Sequence, residues 1–206
     1  IKEITSKRDF LGKKNHILMG ILNMTPDSFS DGGKFNSTQK AFQKIIQMKK
    51  AGAEIIDIGG ESTRPGSKII SQKNELKRVK KVIEQFKKKF PKTLLSIDTR
   101  KSLVMDFAIK NNVDIINDVS CFKFDPKSFG FVNNKNLWKI IHHMQGTPQT
   151  MQTNPSYSHV LLDIYDFFEN QIKKFKSDKY NKRIILDPGI GFGKNLKHNL
   201  MILNKV

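Results

Sequence analysis

The sequence predicts an α/β protein on the plan of a (β/α)8 TIM barrel, covering about its first six strand–helix units. Three observations lead there. Short apolar runs alternate with amphipathic segments six times, which demands parallel strands joined by helical crossovers. Each run ends in polar or ionisable residues, which therefore collect at one end of the sheet, where parallel α/β folds bind ligands. From Asn23 to Asp187 the spacing is about 33 residues per unit, and eight such units need roughly the 250 residues of a closed barrel. The chain thus reads as a single barrel domain, 1–206. It is expected to be incomplete at the C-terminus, and also at the N-terminus because it lacks an initial Met.

The first unit opens with the continuous apolar run Ile17 to Leu22, the pattern of a strand buried on both faces. Asn23 ends it, and Thr25 to Gly33 is a polar loop with Pro26 and two glycines. Ser37 can cap the first helix, whose apolar face carries Ala41, Phe42, Ile45, Ile46 and Met48, with Gly52 closing it. The second strand, Glu54 to Ile58, runs into Asp57-Ile-Gly-Gly-Glu-Ser-Thr-Arg-Pro-Gly66, and its helix shows Leu76, Val79, Ile83, Phe86 and Phe90 on one face. The third strand, Thr93 to Ile97, ends at Asp98, before a helix with Leu103, Val104, Phe107 and Ala108. The fourth, Asp114 to Ile116, ends at Asn117-Asp118, and a weaker helix spans Asp125 to Val132. The fifth, Leu137 to Ile141, ends at His142-His143, followed by a long helix, Val160 to Phe175. The sixth, Arg183 to Leu186, ends at Asp187, and a further helix begins at Leu196. Asn23, Asp57, Asp98, Asn117, His143 and Asp187 are therefore expected to converge.

Composition narrows the function classes. With 37% hydrophobic and 9% aromatic residues the chain is globular, not disordered. The single cysteine, Cys121, rules out an internal disulfide and fits a reducing cytoplasm. No apolar run reaches the roughly 18 residues of a membrane span, and the polar start does not resemble a secretory signal. The net charge of +18 would suit nucleic acid, but only five of the 37 basic residues are arginine and the lysines fall on polar helix faces. Readers of nucleic acid lean on arginine and stacking aromatics, so the excess is read as solvated helix surface. A basic nucleic-acid-binding protein is the alternative from another class, and salt-dependent DNA retention would favour it.

The loops carry the chemistry. Thr25 to Gly33 can close over a substrate and exclude water. Thr63 and Arg64 supply a hydroxyl and a guanidinium that can fork onto phosphate oxygens. Asp98, Asn117 and Asp187 offer directed acceptors and an amide, a set able to read the edge of a heterocycle. Gly189-Ile-Gly-Phe-Gly-Lys194 lets backbone approach a ligand and puts the Phe192 ring beside it. It is neither a Rossmann nor a Walker signature. His142-His143 lacks the spacing of a metal site and reads as structural support.

These blocks together resemble the dihydropteroate synthase family. The resemblance rests on Met19-Gly-Ile-Leu-Asn-Met-Thr-Pro-Asp-Ser-Phe-Ser-Asp-Gly-Gly33, Ile56-Asp-Ile-Gly-Gly-Glu-Ser-Thr-Arg-Pro-Gly66, Ser96-Ile-Asp-Thr99, Ile115-Ile-Asn-Asp118, His143-Met-Gln-Gly146 and Leu186-Asp-Pro-Gly-Ile-Gly-Phe-Gly-Lys194. It implies a pterin-binding barrel of folate biosynthesis. The implied reaction condenses 6-hydroxymethyl-7,8-dihydropterin diphosphate with 4-aminobenzoate, with help from Mg²⁺. It implies that Asp98, Asn117 and Asp187 hold the pterin and that Asn23 touches the metal. Thr63 and Arg64 would meet the diphosphate, and Phe29 and Pro65 would line the aminobenzoate pocket, where sulfonamides compete. A cytoplasmic homodimer with small-molecule substrates, and with neither nucleic-acid nor membrane partners, is implied as well. A related barrel that passes a methyl group to a corrinoid shares the Asp-x-Gly-Gly-Glu and Asn-Asp elements but lacks the Thr-Pro-Asp-Ser-Phe-Ser and Ser-Thr-Arg-Pro-Gly loops.

Two departures stand out. The lysine, Ser-Arg-Lys and Arg-x-His groups of the family's last two strands are not in the sequence, and His142 stands where a methionine usually packs under the pterin. An open six-stranded sheet exposes two edges, so the 206 residues alone are expected to be poorly soluble and inactive.

Overall fold

The computed structural model describes residues 16–25, 34–63, 66–177 and 179–205. Six strands form one sheet: β1 (Met19–Asn23), β2 (Ile55–Gly59), β3 (Leu94–Asp98), β4 (Ile115–Asp118), β5 (Trp138–His142) and β6 (Ile184–Asp187). All neighbours pair in parallel, in the order β1-β2-β3-β4-β5-β6. Each strand is followed by a helix: α1 (Lys34–Lys50), α2 (Gln72–Lys89), α3 (Ser102–Lys110), α4 (Ser128–Val132), α5 (Val160–Lys174) and α6 (Leu196–Leu203). Six consecutive units of a TIM barrel are thus in place, as the alternation predicts. Among the described residues β1 and β6 pair on one side only, and Ile21 and Leu186 on them are exposed.

Two apolar layers follow from the pleat, which sends alternate side chains to opposite faces. On the helix side, Leu22, Ile56, Ile58, Leu95, Ile97, Ile116 and Ile141 pack against the inward stripes of the helices, such as Val79, Val82, Ile83 and Phe86 of α2. On the inner side, Ile55, Leu94, Ile115, Trp138 and Ile140 form a smaller cluster, joined by Ile17, Met19 and Ile185. Strands buried on both faces explain the unbroken apolar runs in the sequence. The lysines of α2, including Lys73, Lys77, Lys80, Lys81, Lys88 and Lys89, lie exposed, as expected of a solvated face.

Helix boundaries depart from expectation at two places. Helix α1 begins at Lys34, before Ser37, because Lys34-Phe-Asn contains no breaker to delay it. Helix α4 begins at Ser128 and not at Asp125. Asp125 is committed elsewhere: its carboxylate accepts the Ser102 N–H at 2.9 Å, capping α3 across the loop, and the Lys127 N–H at 3.0 Å. Gly52 does close α1 with φ +98°, a left-handed geometry suited to glycine.

Candidate active site at the carboxyl ends of the strands

The inner face is apolar at its base and polar at its rim. Strand register aligns Asn23 with Gly59, Gly59 with Asp98, Asp98 with Asn117, and His142 with Asp187. Partners in a parallel ladder share a face, so these groups surround one space. Asp98, Asn117 and Asp187 are brought together as expected. Asp57 faces the same way but lies a layer deeper, since its strand continues to Gly59. Glycine at 59 keeps the rim open: a Cβ there would sit 3.4 Å from Asp98 Oδ2 and 3.6 Å from Asn23 Oδ1.

The polar atoms of this rim are only partly satisfied by the protein. Asn117 donates from Nδ2 to Asp57 Oδ2 at 3.0 Å. Asp57 Oδ1, Asn117 Oδ1 and His142 Nδ1 are buried with no hydrogen-bond partner. Native interiors rarely leave such atoms unpaired. Burial pushes the Asp98 carboxyl well above the usual carboxylate range, and the nearby Asp57, Glu75, Asp118 and Glu61 push it further. Burial raises Asp57 too, against the pull of Ser96 and Asn117. Crowded carboxylates over an apolar base are primed for a flat ligand that brings N–H donors.

His143, expected at the rim, turns the other way. Because β5 ends at His142, the pleat puts His142 inside and His143 outside. His143 Nδ1 lies 2.9 Å from Lys194 Nζ, and the ring packs edge-on against Phe167 at 4.8 Å. Lys194 also donates to the carbonyls of Gly189 and Phe192 at 3.0 Å, so it clasps the Gly189–Gly193 loop onto β5. Burial lowers His143 to about 4, with Lys194 adding to the effect. It therefore stays neutral in the fold while titrating near 6.5 in the unfolded chain. Between pH 6.5 and 4 the unfolded state binds more protons, so this group destabilises the fold on acidification. Urea unfolding should show native protein losing stability relative to His143→Gln across that interval. A pH-independent difference would mean that the ring is not held neutral.

The same loop fixes Asp187, whose Oδ1 accepts the Gly189 N–H at 2.8 Å. Gly189 has φ +69°, and a Cβ there would fall on the His143 carbonyl oxygen. Gly189→Ala should destabilise by roughly 2–5 kcal/mol through overpacking and backbone strain, measurable by thermal unfolding. Phe192 reaches the site as expected, its ring 4.5 Å from that of His142 and nearly perpendicular to it. Thr63 is half-buried in the loop after β2, while Phe29, Arg64 and Pro65 lie outside the described residues.

Beneath that loop sits a buried ionic network that sequence reading missed. Arg100 Nε donates to Glu61 Oε2 at 2.8 Å, and Lys101 Nζ bridges Glu61 at 2.7 Å and Glu75 at 2.6 Å. Thr99 Oγ1 donates to the other Glu75 oxygen at 2.5 Å, and Glu61 also accepts the Ile70 N–H at 3.1 Å. Burial acts to raise Glu61, but Arg100 and Lys101 outweigh it and hold the carboxyl below its usual range. The network ties the loop of Thr63 to the end of β3. Its one sequence signal was the pair Arg100-Lys101 directly after a buried strand, where two adjacent cations need acidic partners from elsewhere.

Known proteins are similar to this chain over most of its length. The model of the family described as pterin binding enzyme matches residues 19–206. A dihydropteroate synthase of Haemophilus influenzae is 41% identical over 92% of this chain and 68% of its own length. The chain belongs to the dihydropteroate synthase family. It is accordingly a transferase of folate biosynthesis. Among solved dihydropteroate synthases, one from Clostridium difficile, determined in the presence of pteroic acid, superposes with a TM-score of 0.83 at 39% identity, covering 94% of this chain and 71% of the other. One from Xanthomonas albilineans, with 4-aminobenzoic acid, gives 0.81 at 34% identity, covering 92% and 66%. The family's barrel accounts for the parallel six-unit sheet.

Proposed function

We propose that the polar rim is the pterin site of this chain, and that it joins the heterocycle's methylene carbon to the amine of 4-aminobenzoate with loss of diphosphate. The observation that carries the reading is the ring of acceptors Asp98, Asn117 and Asp187 above the apolar base Ile55, Leu94, Ile115, Trp138 and Ile140. A pterin is flat, and its amino and ring N–H groups need acceptors that are pre-placed and poorly hydrated. The relatives' structures determined in the presence of pteroic acid and with 4-aminobenzoic acid support the ligand class.

Reaction requires the C–O bond to diphosphate to break and a C–N bond to form, the amine giving up one proton. Asp98, Asn117 and Asp187 hold the ring and, being electron-rich, stabilise positive charge that grows on it as diphosphate departs. Thr63 and Arg64, on the loop braced by Glu61, are assigned to the diphosphate, and Phe29, Pro65 and Phe192 to the walls around the two rings. Among the described residues no group of three His, Cys, Asp or Glu side chains could hold a metal. The exposed Asn23 amide oxygen beside Gly59 suits Mg²⁺ carried on substrate phosphates, which keeps waters and takes few protein ligands. When bound, the ion would offset charge on the leaving diphosphate. The same reading makes the protein a cytoplasmic homodimer acting on small molecules; for the membrane, no described helix is long and apolar enough to cross one.

Titration calorimetry of the chain with 6-hydroxymethylpterin tests the assignment. Binding that is lost in Asn117→Leu and kept in Lys80→Ala, a surface change, is expected. A folded chain with no pterin affinity would overturn it.

A further inference from the structure

His142, at the position where the family usually has a methionine, has no part in the proposed reaction. It is 4% exposed, yet its Nδ1 has no partner. Its Nε2 lies 3.9 Å from Asp187 Oδ2, just outside hydrogen-bond range. The other oxygen of Asp187 is already held by the Gly189 N–H, so Oδ2 is the atom left for a ligand. The ring has little freedom. Phe192 abuts one side, a Cβ at Gly189 would lie 3.0 Å from Cε1, and the Cys121 thiol donates to the His142 carbonyl at 3.0 Å.

We propose that His142 is a positioning and specificity residue of the pterin site, bracing Asp187 Oδ2 with an Nε2–H and presenting a bare Nδ1 acceptor. The charged groups around it are Asp187 on β6, Lys194 in the loop that follows, and Arg100 and Lys123, which share with it the lining of a cavity of about 210 Å³. Burial disfavours the charged ring and Lys194 disfavours it further, while Asp187 and the backbone carbonyl of Val119 oppose them. A neutral imidazole carries one N–H. The charged carboxylate near Nε2 attracts that proton more strongly than the uncharged Val119 carbonyl, and Nδ1 makes no hydrogen bond of normal geometry. When a pterin N–H docks on Asp187, a side-chain movement of about 1 Å closes the Nε2–H contact to normal length. The pterin then meets a carboxylate that already has donors on both oxygens and cannot swing away.

The proposal rests on the pterin reading, so its test separates the two. The native chain, His142→Met and His142→Gln are titrated with 6-hydroxymethylpterin, and the native chain with ¹⁵N-labelled histidine is followed by NMR. Methionine fills the space without donor or acceptor, while glutamine restores an N–H. The expected result is affinity lowered at least fivefold in His142→Met and within about twofold of native in His142→Gln. The NMR of unmodified protein should show His142 as the Nε2–H tautomer, its Nδ1 signal moving when pterin is added. Equal affinities in all three, or an Nδ1–H tautomer, would overturn the proposal while leaving the pterin reading standing. A native chain that binds no pterin would remove both. The tautomer is read on native protein, so it decides even if a variant fails to fold.

Discussion

Replacing Asp98 by alanine is expected to lower pterin affinity by about a hundredfold, and replacing it by asparagine by nearly as much. Hydrogen bonds to a charged group are worth roughly 1.5–3 kcal/mol each, and a buried ligand donor left unpaired adds its desolvation cost. Asparagine keeps the shape but loses the charge and half of the accepting capacity. The opposite effect is expected on stability. Burial and the neighbouring carboxylates push Asp98 well above its ordinary range. A raised acid loses stability as pH rises from its unfolded value through its folded one. At neutral pH, Asp98→Asn should therefore melt at a higher temperature than the native chain. Calorimetry for affinity and thermal unfolding at pH 7 check both halves. An asparagine variant that binds normally would show that the carboxylate is not the acceptor used, and one that melts lower would show that its burial is not a cost.

The second large effect belongs to the ionic network. Lys101→Met should destabilise by roughly 3–5 kcal/mol, because it removes the cation shared by the buried carboxyl groups of Glu61 and Glu75. For a chain of this size that is a fall in Tm of roughly 6–20 °C. Glu75→Leu on top of Lys101→Met should recover much of the loss, since an apolar pair can replace a buried ion pair at little net cost. A double-mutant cycle by urea unfolding measures the coupling. Additive effects would mean that the two charges are independently solvated, against their burial and the 2.6 Å contact. Arg100 and the Ile70 N–H still hold Glu61 in Lys101→Met, so the loop after β2 should keep its place while the chain loses stability.

How much of this was legible in the chain differs by element. The strands were readable because both faces are buried. Leu94 to Ile97 shows apolar residues with little alternation, and its ends are marked by Thr93 and Asp98. The helices were readable from their stripes, and α2 shows buried Val79, Ile83 and Phe86 at the spacing the sequence has. The starts of α1 and α4 were misplaced for separate reasons. Ser37 is a good cap in a place where no cap is needed, and Asp125 caps a different helix, which no local pattern can announce. For the site, Asp98, Asn117 and Asp187 were found because each is polar at the end of an apolar run. That signal cannot say which of two adjacent histidines faces inward. A one-residue shift in strand end exchanges the faces, and it gave the rim to His142.

The sequence by itself determined the order and type of the six units, the parallel sheet, and the polar character of the strand ends, because these depend on hydrophobic periodicity within a dozen residues. Tertiary structure alone decided which atoms are left without partners, how far crowding raises Asp98, and that Glu61, Glu75, Arg100 and Lys101 share one buried network. These are properties of groups up to 60 positions apart in the chain, and Coulomb and desolvation energies depend on distance through space and exclusion from water, neither of which is written in the order of residues.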